Sequence, residues 1–500
     1  MKTPITIIGG NIMKKQISLL CALSLLASLV ACGGDGGSGS DTTTSPTGTT
    51  EPAETTVSDA EKYGYVAPDI PEGLDYEGRE FGIAYPNWSA YRTYYFADEE
   101  IGETVNDACC KRMSYVEEKL NIDIVPYNFG DGLETAKLVN QTVMAGRDEY
   151  SIFLTHNYIG CIAILTSGSI MNWHDIPTID LEKPYYNKAI RENFEYDGVL
   201  PFLSSDFILP DLNAIFFNRD MVEDYELEDP YEFVTSGNWT IDTMAELSKK
   251  VTKDLNGDNV MNADDQYGFS GELGWQIVSA ITGGGQRLVE KNGDKYHVAL
   301  GNESAVNLVE KLRNFMFDSA NAYLWEYSTT TDPNGGGTPP VNFADGKSLF
   351  YQAPLSYFEF MRGSEVEYGI LPYPKYDESQ KDYETLNWAG YMVALKTISD
   401  PGLVGYVVEL LSSESCRTVL PAFYDVLLGA KIARDEVAVE VLDMMFKNSI
   451  CDMGIISQTF SLGSKLLARD MAGHASIVAS NITSYENNLQ KYIDGCVGLK

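Results

Sequence analysis

Between Glu80 and Leu154 the apolar positions alternate between short continuous runs and helical spacing. Phe81-Gly82-Ile83-Ala84-Tyr85 has strand length, whereas Val105, Cys109, Met113, Val116 and Leu120 recur every three or four residues and give a helix one apolar face. Thr104-Val105-Asn106-Asp107 reads as a capping box opening that helix. Asn121 to Val125 predicts a second strand, Leu133 to Ala145 a second helix with Val139 and Val143 on one face, and Tyr150 to Leu154 a third strand. This alternation builds a parallel sheet covered by helices. A second series follows: Ala214-Ile215-Phe216-Phe217 as a strand, Ile241 to Val251 and Ala305 to Phe317 as helices, then Ser348-Leu349-Phe350-Tyr351 and Tyr391-Met392-Val393-Ala394-Leu395 as strands before a helical C-terminal part. The body from about residue 62 to 500 exceeds what one core usually supports, so two α/β lobes are expected.

The N-terminal part carries different information. Ile17 to Val30 is apolar, follows Lys14-Lys15 and is too short to span a bilayer, the order of a secretory signal. It ends in Leu29-Val30-Ala31-Cys32, which resembles the bacterial lipobox. The resemblance implies removal of residues 1–31 and diacylation of Cys32, with the acyl chains holding the protein on the outer face of the cell membrane. Met13 starts a tighter signal than Met1 does. Residues 32–61 are rich in Gly, Ser, Thr and Pro and read as a disordered tether. Roughly 30 such residues reach on the order of 30 Å.

The formal charge is −36, and loss of residues 1–31, with three lysines and no acid, makes it more negative. Nucleic acid and anionic lipid surfaces are therefore poor partners. Cys109, Cys110, Cys161, Cys416, Cys451 and Cys496 lack the spacing of a disulfide scaffold or a metal pair and read as buried thiols, with one distant disulfide open.

Residues 254–265 follow the twelve-residue calcium loop, with oxygens from Asp254, Asn256, Asp258, the Val260 carbonyl, Asn262 and Asp265 at alternate positions. Asn259 stands where glycine is usual and Asp265 where a bidentate glutamate is usual. Asn tolerates the left-handed conformation needed there. The expected ion is a structural Ca2+; the alternative is a solvated acidic turn.

From Asn238-Trp239-Thr240 through this loop to Asp265-Gln266-Tyr267-Gly268-Phe269, the chain resembles the extracellular solute-binding proteins of ABC importers, nearest the carbohydrate-binding branch that includes maltose-binding protein. Phe216-Phe217-Asn218-Arg219-Asp220, Gly346-Lys347-Ser348-Leu349-Phe350 and Tyr368-Gly369-Ile370-Leu371-Pro372-Tyr373-Pro374 extend the likeness in the same order. The resemblance implies a periplasmic-binding-protein-like α/β fold: lobe 1 from residues 75–205 plus 386–432, lobe 2 from 206–385 plus 433–500, and a ligand cleft between them. It further implies a monomer that delivers a small solute to permease subunits.

Sugars combine C–H faces with hydroxyls, so their sites pair aromatic platforms with polar side chains. Trp88 and Tyr91 follow the first strand, and Asn157 and Tyr158 follow the third, at the strand ends where α/β sheets bind ligands. Asp206 lies at the first crossover, and Trp275, Tyr357 and Trp388 stand where the resemblance places cleft aromatics; each could instead be core. No GxSxG, HExxH or P-loop occurs. The expectation is a non-enzymatic carbohydrate receptor. The alternatives are a lipid-anchored glycoside hydrolase, a receptor for peptides or another polar solute, and an adhesion module, which would require a second calcium loop.

Overall fold

The computed structural model describes residues 64–87, 95–274, 276–317, 321–325, 338–361, 363–432 and 436–500. Cys32, the tether, Trp88, Tyr91 and Trp275 lie outside the described residues.

The first series folds as its pattern predicts. Strands β1 (Arg79–Tyr85), β2 (Ile122–Asn128) and β3 (Ile152–Thr155) pair in parallel around a central β1. The helix Thr104–Leu120 buries Val105, Cys109, Met113, Val116 and Leu120, and also Arg112. Its start differs from the expected capping box. Thr104 is already helical, and the Asp107 carboxylate reaches back to the Ile101 and Gly102 N–H groups.

The chain then builds β4 (Asn213–Asn218), β5 (Tyr267–Gly271), a hairpin of β6 (Val289–Asn292) and β7 (Lys295–Val298), β8 (Ala322–Leu324), β9 (Ser348–Pro354) and β10 (Tyr368–Leu371). All but the hairpin form a second, mixed sheet in the order β10-β4-β9-β5-β8. The helix Ile241–Val251 lies close on β5 because a Cβ at Gly268 would collide with Ser248. The chain returns through β11 (Thr385–Leu386) to β12 (Tyr391–Ala394), which closes the first sheet antiparallel to β3. Strand β13 (Ser449–Ile450) pairs with β11.

Two α/β lobes are thus linked by segments around residues 203–213 and 385–391, and the chain has re-entered the second lobe by the helix Glu436–Lys447, which packs on β10. The bridges Leu203 to Met392 and Leu212 to Asn387 tie the two linking segments side by side. The C-terminal helix His474–Gly498 touches both lobes. Gly495 faces Leu165 of the first, the Tyr492 hydroxyl donates to the Phe194 carbonyl, and the Tyr492 ring meets Tyr296 on β7. Among the described residues no helix is long and apolar enough to cross a membrane, and the six cysteines are free thiols, all buried except Cys110.

Candidate ligand cleft

Strand β3 ends where the lobes meet, and the turn after it presents Asn157 and Tyr158. Asn157 is 2% exposed and donates from Nδ2 to the Trp388 carbonyl at 2.8 Å. Its Oδ1 is buried without a well-formed hydrogen bond and lies toward the His156 imidazole, an arrangement that is costly unless a better-placed donor arrives. The Tyr158 ring meets Trp388 at 5.9 Å between centroids and Phe460 edge-on at 4.9 Å. His156 presents Nδ1 to the Tyr158 N–H at 3.2 Å, and burial lowers its pKa to about 3, so the imidazole is neutral.

Trp388 is held by the crossover. Its N–H donates to the Asp211 carbonyl at 2.8 Å, and the Asp211 N–H donates to Asn387 Oδ1 at 3.1 Å. The Asp211 carboxylate accepts from the Ser356 N–H and hydroxyl, both at 3.0 Å, fixing the residue before Tyr357. Tyr357 and Tyr158 are kept protonated first by burial and then by the charge of Glu272, which follows β5. Asn157, Tyr158 and Trp388 therefore form one aromatic and polar group, to which Tyr357 is tied only through Asp211 and through the charge of Glu272 that acts on both tyrosines. A small cavity lined by Tyr95, Thr155, Asn157 and Trp388 opens beside it.

Asp206 is placed differently. Its Oδ2 accepts the Cys416 thiol at 3.1 Å, against the π-helical turn Ser415–Val419, and burial raises its carboxyl to about 7. Beside it the buried Arg112 guanidinium lies 4.9 Å from the Phe207 ring centre and donates to Ser415 Oγ at 2.8 Å and to the Tyr95 carbonyl.

Sequence reasoning passed over Glu272, Asp211 as the carboxylate near Tyr357, and Phe460. The rule that selected residues after β3 would also have selected Glu272 after β5. Phe460 starts a helix far along the chain and carries no local signal.

In the acidic loop Asn259 adopts φ +63° and Gly257 φ +76°. Asp254 accepts the Gly257 and Asn259 N–H groups, Asn256 that of Asp258, and Asp258 that of Val260. The fully buried Asp265 carboxylate accepts from Leu255 and Asn262, and Asn262 Nδ2 donates to the Val260 carbonyl. Among the described residues no three His, Cys, Asp or Glu side chains converge as a metal-ligand set.

The two-lobed α/β fold is similar to that of solved ABC solute-binding proteins. A cyclo/maltodextrin-binding protein solved with maltotetraose is similar over 83% of this chain and 98% of its own, at 14% identity and TM-score 0.57. An ABC substrate-binding protein of Listeria monocytogenes in complex with cycloalternan covers the same shares at 12% identity and TM-score 0.53. UgpB of Mycobacterium tuberculosis in complex with glycerophosphocholine does so at 12% identity and TM-score 0.55. No family model matches the chain, and no curated protein matches it in sequence.

Proposed function

We propose that this chain is a lipid-anchored extracellular receptor that captures a mono- or oligosaccharide between its lobes and delivers it to an ABC permease. The observation that carries this reading is the group Asn157, Tyr158 and Trp388 at the end of β3 and the crossover, with Phe460 edge-on to Tyr158. Aromatic faces suit sugar C–H faces, and the Asn157 carbonyl oxygen accepts a ligand hydroxyl. Neutral His156 adds polarity without charge. A ligand touching both lobes favours the closed form by its differential affinity, and the closed form is what a permease distinguishes. The fold is shared with proteins solved with maltotetraose and cycloalternan, which supports a sugar over a peptide. Cys32 is proposed as the acylated anchor and residues 32–61 as the tether.

Ca2+ is proposed as a structural staple held by Asp254, Asn256, Asp258, the Val260 carbonyl, Asn262 and Asp265. The loop fits in two respects: Asn259 already takes the left-handed conformation, and the donors are hard oxygens. The ion would cross-link the loop; the cleft residues bind solute without it.

The test is a thermal-shift panel of neutral oligosaccharides, peptides and glycerophosphocholine, with products analysed after incubation. A sugar that raises the melting temperature and is recovered intact supports the receptor. Sugar cleavage supports a hydrolase instead, and a shift by peptides alone overturns the carbohydrate assignment.

A further inference from the structure

Outside the cleft, two cavities adjoin on the second lobe. One lies between the helices Ile241–Val251 and Glu303–Phe317, and the other lies beside Gly284–Gly285. They share Asn307 and Tyr376, so together they form a groove. None of its lining residues belongs to the cleft group.

The lining has a consistent chemistry. Asn307, Asn314 and Asn321 line the larger cavity, Gln286 and Gln380 the smaller, and the half-buried Tyr376 stands between them. The charges at its edge include the ion pair of Lys311 with Asp242 at 2.7 Å, whose ammonium also lies 4.5 Å from the Tyr376 ring centre. With Lys249, Glu310 and Asp377 the lining carries two cations and three carboxylates, a mixed set that does not select an ion of one sign. The Asn307 and Gln286 amides each donate and accept, as sugar hydroxyls do, whereas the Gln380 amide is held by the Tyr376 N–H and the Gly283 and Asp382 carbonyls. Asn321 supplies the independent sign of a ligand: it is 1% exposed, lines the cavity, and its Nδ2 has no hydrogen-bond partner, while Oδ1 accepts only weakly from Thr252 at 3.4 Å. A buried amide with an unmet donor costs free energy that an incoming hydroxyl recovers.

We propose that this groove is a second carbohydrate-binding site, taking a segment of a neutral glycan chain on the outside of the second lobe while the cleft takes the solute. A glycan held there keeps the receptor near the polymer that yields its ligand, and binding at two sites raises effective concentration. The groove stands apart from the cleft assignment and is tested apart from it.

The experiment is native electrophoresis of the full chain in detergent through gels containing soluble starch or mannan. The comparison is with Asn307→Trp, which plugs the shared middle from an exposed helix position, and Asn307→Ala as a milder change. The chain is expected to be retarded in one gel, and Asn307→Trp to weaken the apparent affinity about tenfold or more. Unaltered melting and unaltered thermal shifts with maltotetraose and mannotriose would show the fold and the cleft intact. Absence of retardation in both gels, or equal retardation of Asn307→Trp, overturns the second site. A failed thermal-shift panel with the gel result intact would instead overturn the cleft assignment alone.

Discussion

Asn157→Ala separates a ligand residue from a structural one. In the free protein the substitution removes the 2.8 Å bond from Nδ2 to the Trp388 carbonyl, worth about 1 kcal/mol net. It also removes a buried Oδ1 without a well-formed hydrogen bond, whose desolvation costs roughly 1–3 kcal/mol. The two effects oppose each other, so unliganded stability should change by no more than about 2 kcal/mol, upward. For a body of about 430 residues the transition entropy is about 0.9 kcal/mol/K, so the melting temperature rises by no more than about 2 °C. In the complex nothing opposes the loss, because a ligand hydroxyl is left facing a methyl group. A penalty of about 2 kcal/mol weakens binding roughly 30-fold. At a ligand concentration about 100 times the parent Kd, ligand stabilises the parent by about 2.7 kcal/mol, or about 3 °C, and the variant by under 1 kcal/mol, or about 1 °C. Scanning fluorimetry and calorimetric titration read both quantities. A melting temperature several degrees lower with an unchanged Kd would refute the reasoning and make Asn157 a structural strut.

Glu409 is 1% exposed and accepts from the Tyr185 and Tyr186 hydroxyls, Lys183 Nζ and the Asp180 N–H. Glu409→Gln should cost about 3 kcal/mol, read by denaturant unfolding, since it leaves Lys183 without its buried counter-charge. Asp206, raised to about 7 from 3.8, binds its proton more tightly when folded. Its contribution is full below about pH 4 and is lost as pH rises through about 7. His156, lowered to about 3, acts in the opposite direction over nearly the same range. The difference in stability between Asp206→Asn and the parent is therefore the observable: the variant should gain relative to the parent between pH 4 and 7, and a pH-independent difference would contradict this. Calcium should raise the melting temperature and EDTA reverse it, and Asp258→Ala should abolish the response; an undiminished response places the ion elsewhere. Lys291→Met removes donors to the Glu192 and Glu195 carbonyls at the end of the helix Lys188–Phe194 and should cost about 1–2 kcal/mol in chemical unfolding.

The α/β alternation was legible because β1, the helix after it and β3 each carry a complete local pattern. Pairing between distant segments was not. Nothing local in Tyr391–Ala394 says that it lies antiparallel to β3, and only the family resemblance placed it in the first lobe. Arg112 shows a second limit. Periodicity marks which positions face inward, yet it gave no reason to expect a guanidinium between Cys109 and Met113, because the partners that satisfy it, Tyr95 and Ser415, come from the segment before this helix and from a later helix. The start of that helix was misread for a related reason: Thr104 and Asp107 carry the residue types of a cap, but Asp107 serves the turn before the helix.

The candidate site was legible where it depended on strand ends, as for Asn157 and Tyr158, and illegible where it depended on the crossover's hydrogen bonds. Asp206 and Asp211 both lie at the first crossover, and sequence reasoning preferred Asp206. The structure gives them different neighbours, a thiol for Asp206 and the serine preceding Tyr357 for Asp211. The series Asn157 to Trp388, Trp388 to Asp211, and Asp211 to Ser356 runs from the end of β3 across the crossover into the second lobe. Trp388 sits in that series, so hydrogen bonds from the end of β3 and from the crossover place its ring. A ligand that stacks on Trp388 while meeting Asn157 would be felt by both lobes at once.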